Sequence, residues 1–527
     1  MDMNNDGIGD LNGIISKLDY LKELGIDYIW LNPIFPSPQA DNGYDVSDYC
    51  AIDPIFGSMK DLETLIYEAG KRNIYLMFDM VFNHSSTEHK WFKEALKQNT
   101  KYKNYYFFKK GKNGKPPTNW CSKFGGSAWK YVPEFDEYYL HLYDEKQADL
   151  NWENEEVRSE FIQILNFWIK KGIRGFRFDV INNIDKQKFE DCPQGVGKQF
   201  YCDQPRVHQY LNELNTNTFG NVDSCITVGE MSSTSVKNCI GYTNPDNHEL
   251  DMVFSFHHLK VDYVNGEKWT SMPFDFMELK QLMNTWQIEM QKENGWNALF
   301  WNCHDQPRSI SRFGDDKNYP TESAKMLATT LHMMRGTPYI YQGEEIGMTN
   351  HYFDCIDKYR DVESINAYSI LKSEGKDETY ILKVLQEKSR DNARTPMQWD
   401  SSENAGFTHG KPWISVIDNY KDINVKKTLD DKNSIFYHYK KLISLRKEYV
   451  VVQQGEYIPL LEEDDSIFAY KRVFNNEELV VLSNFYGKEC TFDIDLSNYD
   501  ILLSNYEDSS NINNILRPYE SMVLYKR

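Results

Sequence analysis

Over roughly the first 450 residues, short apolar runs alternate with stretches whose apolar positions recur every three to four residues. Ile14, Leu18, Leu21 and Leu24 fall on one helical face, and a strand is expected at 27–31. A loop rich in Pro, Ser and Asn follows, then a helix at 61–72 and a strand at 74–78. Residues 85–150 break the rhythm. They are rich in Lys, Asn, Gly and Tyr, include Pro116-Pro117, and read as an inserted irregular domain. The alternation resumes with a helix near 155–171, a strand at 173–178, a helix near 205–217 and a strand at 225–228. Further strands are expected at 252–256, 298–301 and 338–341, with helices near 276–291 and 322–335. After about residue 450, runs such as 466–473 and 478–484 alternate with turn residues, as in a small antiparallel β domain.

Strands and helices in alternation point to parallel strands wrapped by helices, and their number favours a closed barrel over an open sheet. The expected fold class is α/β: a (β/α)₈ TIM barrel from residues 1–84 and 151–447, an insert at 85–150, and a C-terminal antiparallel β domain at 448–527. Seven strand candidates stand where the fold wants eight. The chain opens on a loop that should follow the first strand, so that strand is expected to be missing unless another segment closes the barrel.

Composition narrows the partners. Hydrophobic (40%) and charged (26%) content are ordinary for a globular protein, and the high aromatic content (14%) suits sugar faces and protein cores equally. The formal charge, 59 − 79 = −20, speaks against nucleic acid or an anionic membrane, because phosphate backbones need a basic surface. An anionic small molecule needs a local cluster of Lys and Arg. The 9 Cys form no C-x-x-C pair, and the polar start and lack of a long apolar run carry no signal peptide or membrane span. Free thiols in the cytoplasm are the expectation. Nothing in the pattern specifies an oligomeric state.

Two acids stand out. Asp179 ends Gly175-Phe176-Arg177-Phe178-Asp179, and Glu230 ends Thr227-Val228-Gly229-Glu230, with a helical stretch between. A parallel βαβ unit presents such residues side by side at the carboxyl ends of neighbouring strands. Two carboxyl groups ~5 Å apart are the machinery of retaining glycoside hydrolysis. Taken singly, each has a blander reading: Asp179 pairing with Arg177, and Glu230 capping the next helix. Polar clusters after other strands shift the balance: Asp79 through His84, His304-Asp305 with Arg308, and Gly43-Tyr44-Asp45.

Together these motifs resemble the four motif regions of the α-amylase family of glycoside hydrolases, nearly end to end. The resemblance implies that Asp179 is the nucleophile, Glu230 the general acid/base and Asp305 a third acid gripping sugar hydroxyls. It implies that His84 and His304 bind the glucose, that Arg177 orients Asp179, and that Asp45 closes the far end of the pocket with Arg390 or Arg394. Asp179 must then be ionised and Glu230 must hold a proton near neutral pH. One departure is Cys303, where the family has Asn; weaker support of His304 is expected. Val180 is similar to the subgroup acting on short α-glucosides, the oligo-1,6-glucosidases among them.

Longer stretches (227–234, 256–263, 266–269 and 359–364, with Phe200-Tyr201 and Pro205-Arg206) resemble the trehalose-6-phosphate hydrolases. That implies hydrolysis of the α,α-1,1 bond of trehalose 6-phosphate to glucose and glucose 6-phosphate. A phosphate on the leaving sugar needs cations, and Lys260 and Lys268 are the first candidates, Arg206 and Arg308 the next. For any one of these a solvated loop cation is the blander reading. The rivals are an oligo-1,6-glucosidase or dextran glucosidase acting on unphosphorylated sugars, and a non-catalytic barrel such as the heavy chains of amino-acid transporters. No cofactor is required for this chemistry. The N-terminal run from Asp2 to Asp10 is rich in oxygen donors, but Gly13 stands where an EF-hand needs Glu. It resembles a calcium loop of oligo-1,6-glucosidase relatives, which implies Asp2, Asn4, Asp6, Asp10 and the Ile8 carbonyl as ligands of a structural Ca²⁺. An Asn/Asp/Gly-rich turn is the blander account.

Overall fold

The computed structural model describes residues 1–509 and 512–527. Five parallel strands hydrogen-bond in chain order: β1 (Tyr28–Leu31), β2 (Tyr75–Met80), β3 (Gly175–Phe178), β4 (Ile226–Glu230) and β5 (Met252–Phe254). A bridge between Val253 and Asn297 leads on to β6 (Ala298–Leu299), which pairs in parallel with β7 (Thr337–Pro338). Among the described residues no ladder joins β7 to β1, so the barrel lacks one stave, as the pattern of the chain predicts. Aromatic side chains span its axis instead. Trp30 of β1 stacks on Phe254 of β5 at 5.6 Å and meets Tyr339, just past β7, edge-on at 6.2 Å. The last strands are shorter than their apolar runs, partly because Pro338 has no N–H to donate.

The central unit shows why these residues fold so. The helix Glu155–Lys171 starts where Asn154 accepts from the Glu156 amide, carries Glu155 and Glu156 in its first turn and Lys170 and Lys171 in its last, and stops at Gly172 (φ 107°). Val157, Phe161, Ile164, Leu165 and Trp168 form its buried face. Trp168 packs edge-on against Phe78 of β2 at 4.9 Å, and its indole N–H donates to the Tyr49 carbonyl (2.8 Å). β3 is buried on both faces, as a parallel strand under helices must be. Gly175 is required there, because a Cβ would lie 2.8 Å from that of Met77, its partner in β2.

The insert leaves and re-enters beside itself: His84–Ser86 pairs antiparallel with Gln147–Asp149. It is less irregular than its composition suggests. Phe108–Lys109, Glu137–Leu140 and Trp129–Val132 form a three-stranded sheet, built of strands too short to show a periodicity. Its small core (Phe107, Trp120, Trp129, Leu140, Leu142) also takes in Cys192 and Tyr201 from the loop after β3, which ties that loop to the insert. The C-terminal sheet has five antiparallel strands, ordered Glu456–Leu460, Ile467–Phe474, Glu477–Asn484, Ser521–Lys526, Asp500–Ser504. Along Ile467–Phe474 the period of two is plain: Phe468 and Tyr470 join the cluster under the barrel helices, while Ile467 and Ala469 face a separate core.

Candidate active site

The carboxyl ends of the strands bring the expected residues to one place. Arg177, on β3, is fully buried. Its Nη1 donates to Asp79 Oδ1 (2.6 Å) and to Asp179 Oδ1 (2.7 Å), and its Nη2 donates to Glu230. One guanidinium therefore holds the acid that follows β3 and the acid that ends β4. Burial works against the charge of Arg177, but Asp79 and Asp179 outweigh it and hold the guanidinium charged. Asp79 is pushed up to about 7 by burial, with Arg177 pulling it down and Asp179 repelling it. Just past Asp179, Val180 sits at φ 37° and ψ 41°. A β-branched residue in that region is strained, a mark common where a side chain must be aimed.

Asp305 stands in the loop after β6. Its Oδ1 accepts from Arg390 Nη1 and Arg394 Nη2, both at 3.1 Å, and its Oδ2 lies 3.2 Å from His304 Nε2. Burial alone would raise its pKa; the charges of Arg390 and Arg394 reverse this and hold the carboxyl well below the usual range. Burial pushes the His304 imidazole down to about 3, so it works as a neutral ring. The Tyr44 hydroxyl lies 2.7 Å from His304 Nε2 and 2.8 Å from Asp79 Oδ2, and the Tyr44 and His304 rings stack at 5.3 Å. Cys303 occupies the departure site: its sulfur accepts the Asp305 N–H, and aromatic packing by Tyr44 and Trp30 supports His304. His84 is buried against the Tyr44 carbonyl and Gln147, each at 3.1 Å, and burial lowers its pKa.

Several expectations need correction. Asp45 does not close the pocket. It accepts from Ser37 Oγ (2.8 Å) and from the amides of Ala40 (3.0 Å) and Asp41 (3.1 Å), and so holds its own loop. Asp41, which the sequence reading did not single out, faces Arg390 at 3.6 Å, accepts from Gln147, and is raised by burial to about 7. The turn Asp41-Asn42-Gly43-Tyr44, with positive φ at Asn42 and Gly43, was the available signal. Asp361, also missed, anchors Arg390. Of the phosphate candidates, Lys268 is paired with Glu363 (2.6 Å), Arg206 with Asp185 and Glu153 (both 3.0 Å), and Arg308 is fully buried, donating to the carbonyls of Gln342 and Ala393. These three are occupied by the protein itself. Only Lys260 is clear of a carboxylate; burial lowers its pKa, and Lys198 adds repulsion.

In the N-terminal loop, Asp2 accepts from the amides of Asn4, Asn5 and Gly7 and from Thr408 Oγ1. Asp10 accepts from Met3, Asn4 and Gly13, and Asp6 from Ile8 and the Asn4 side chain. Among the described residues no three His, Cys, Asp or Glu side chains are grouped as a metal would require. The acids expected to hold Ca²⁺ accept amides of the turn.

The description "Alpha amylase, catalytic domain" matches residues 1–455, and "Alpha-amylase SusG C-terminal domain" matches residues 467–523. The chain belongs to the α-amylase family. This glycoside hydrolase is 56% identical over 532 residues to the trehalose-6-phosphate hydrolase of Bacillus subtilis (strain 168), covering 99% of this chain and 95% of the relative. It is 51% identical over 537 residues to the oligo-1,6-glucosidase of Bacillus cereus, covering 99% and 96%. The crystal structure of Bacillus licheniformis trehalose-6-phosphate hydrolase, 56% identical, superposes with a TM-score of 0.95 over 99% of this chain and 96% of that one. Among the described residues, no helix of this α-amylase-family enzyme is long and apolar enough to cross a membrane.

Proposed function

We propose that the enzyme hydrolyses the α,α-1,1 bond of trehalose 6-phosphate with retention, releasing glucose and glucose 6-phosphate. The observation that carries this is the shared guanidinium of Arg177, which sets Asp179 and Glu230 together at the ends of adjacent strands. Asp179, ion-paired to Arg177, attacks the anomeric carbon as Glu230 protonates the departing oxygen. Glu230, then a carboxylate, takes a proton from the water that opens the glycosyl-enzyme ester. Asp305, His304, His84 and the Asp41–Arg390–Arg394 group surround the glucose.

The alternative, an unphosphorylated isomalto-oligosaccharide, uses the same trio, and the 51% identity to an oligo-1,6-glucosidase supports it. An acid-free lysine beyond β5 in a protein of charge −20 favours the phosphorylated substrate. A non-catalytic role does not fit an assembled trio. The test is product analysis with trehalose 6-phosphate and isomaltose. Wild type should release glucose 6-phosphate, and Asp179→Asn should be at least about 10³-fold slower. Preferential cleavage of isomaltose would move the assignment to the alternative. Nine free thiols support a reducing, cytoplasmic setting. A structural Ca²⁺ at the N-terminal loop is a separate proposal, resting on its oxygen-rich donor set alone.

A further inference from the structure

Glu230 protonates the bond to the leaving sugar, so the leaving sugar lies on the Glu230 side of the site. Two residues beyond Glu230, Ser232 is pinned by Asn182, whose Oδ1 accepts the Ser232 N–H at 2.9 Å. Lys123, from the insert, reaches this point: its Nζ lies 3.4 Å from Ser232 Oγ and 5.5 Å from the centre of the Tyr201 ring. Lys198 starts the short helix Lys198–Phe200 in the loop after β3, where Phe200 stacks on Trp120 of the insert at 5.8 Å and Gly197 packs against the same indole. Lys260 follows the turn His257–Leu259 after β5. The three are near enough to repel one another, and burial, with that repulsion added, lowers Lys123 to about 8. Among the described residues none of the three has a carboxylate partner, whereas Lys268, Arg206 and Arg308 are all engaged. Like charges gathered without acids are unfavourable unless an anion joins them.

We infer that Lys123 and Lys198, with Lys260, form a three-cation clamp for the phosphate of the leaving sugar, so that the insert and the loop after β3 set the substrate preference. This deepens the proposed function and rests on it. Cations drawn from three separate segments suit a phosphate group, which offers an oxygen to each. Alanine and arginine variants at Lys123 and Lys198 test the clamp, with kcat/KM measured on trehalose 6-phosphate and on 4-nitrophenyl α-glucoside. Each alanine variant should lower the ratio of the two kcat/KM values about tenfold or more, chiefly through KM for the phosphorylated sugar, and Lys123→Arg should restore most of it. A wild-type enzyme that cleaves trehalose 6-phosphate, with variants whose ratio stays within about twofold of it, overturns the clamp alone. A wild-type enzyme inert on trehalose 6-phosphate overturns the proposed function and the clamp with it.

Discussion

Asp41 and Asp45 lie four positions apart and carry the same side chain, yet their surroundings give them different work. Asp45 is wrapped by donors of its own loop, and Asp41 looks across the pocket to Arg390. Asp41→Asn should lower kcat/KM about 100-fold, the scale of one lost charge-assisted contact with the sugar, without lowering the melting temperature. Asp45→Ala should cost about 2–4 kcal/mol of stability, because it leaves the partly buried donors of Ser37 and Ala40 and the buried amide of Asp41 unpaired. Kinetics and thermal melts of the two variants separate these roles; a matched loss in both would show that they are not distinct. The difference was not legible in the chain. The motif Gly43-Tyr44-Asp45 marked the right loop, but only the fold of the turn decides which acid points inward. Asp179 and Glu230 were legible because each stands at or just beyond a strand end, where side-chain direction follows from the pleat and the barrel, and Asp305 by the His304-Asp305 pair in the loop after β6. The lysines were not, since nothing in a sequence tells which loop cations already have partners.

Among the elements, those with a strong period were readable in the chain and the short ones were not. The helix Glu155–Lys171 announces itself by caps, terminal charges and five buried apolar positions. The sheet of the insert, with strands of two to four residues, leaves no such trace. The N-terminal loop shows the opposite hazard, a strong motif whose donors have two possible uses. Its carboxylates can gather a cation or accept the amides of the turn, and here they accept amides. If Ca²⁺ is nevertheless bound as proposed, it must stabilise the folded loop over the unfolded one. Melting in Ca²⁺ should then exceed melting in EDTA by about 2 °C or more. Equal melting temperatures would leave the loop as a hydrogen-bonded turn, with no metal.

At the scale of the whole molecule, burial decides how stability follows pH. His89, His304, His332 and His438 are pushed down to about 3 and His258 to about 4, in each case first by burial. A histidine that is neutral when folded but protonates near 6.5 when unfolded contributes stability that is present above 6.5 and is lost as pH falls toward its folded pKa. Asp41, Asp79 and Glu344, raised by burial to about 7, act in the reverse sense. Their contribution is complete below about 4 and fades as pH rises through 7. Between pH 6 and 5 five histidines oppose three acids. For these eight groups the unfolded forms bind about two protons more than the folded ones, so their combined contribution to stability falls as pH drops from 6 to 5. The melting temperature should drop between pH 6 and pH 5. His438 is the clearest probe, since it is buried on the helix Ile435–Glu448, with Thr329 of the helix Pro320–His332 as its hydrogen-bond partner (2.7 Å), and takes no part in the active site. His438→Gln should flatten the pH dependence by about 1.4 kcal/mol per unit. A melting temperature that rises on acidification over this range would mean that the buried acids, and not the histidines, govern the acid limb.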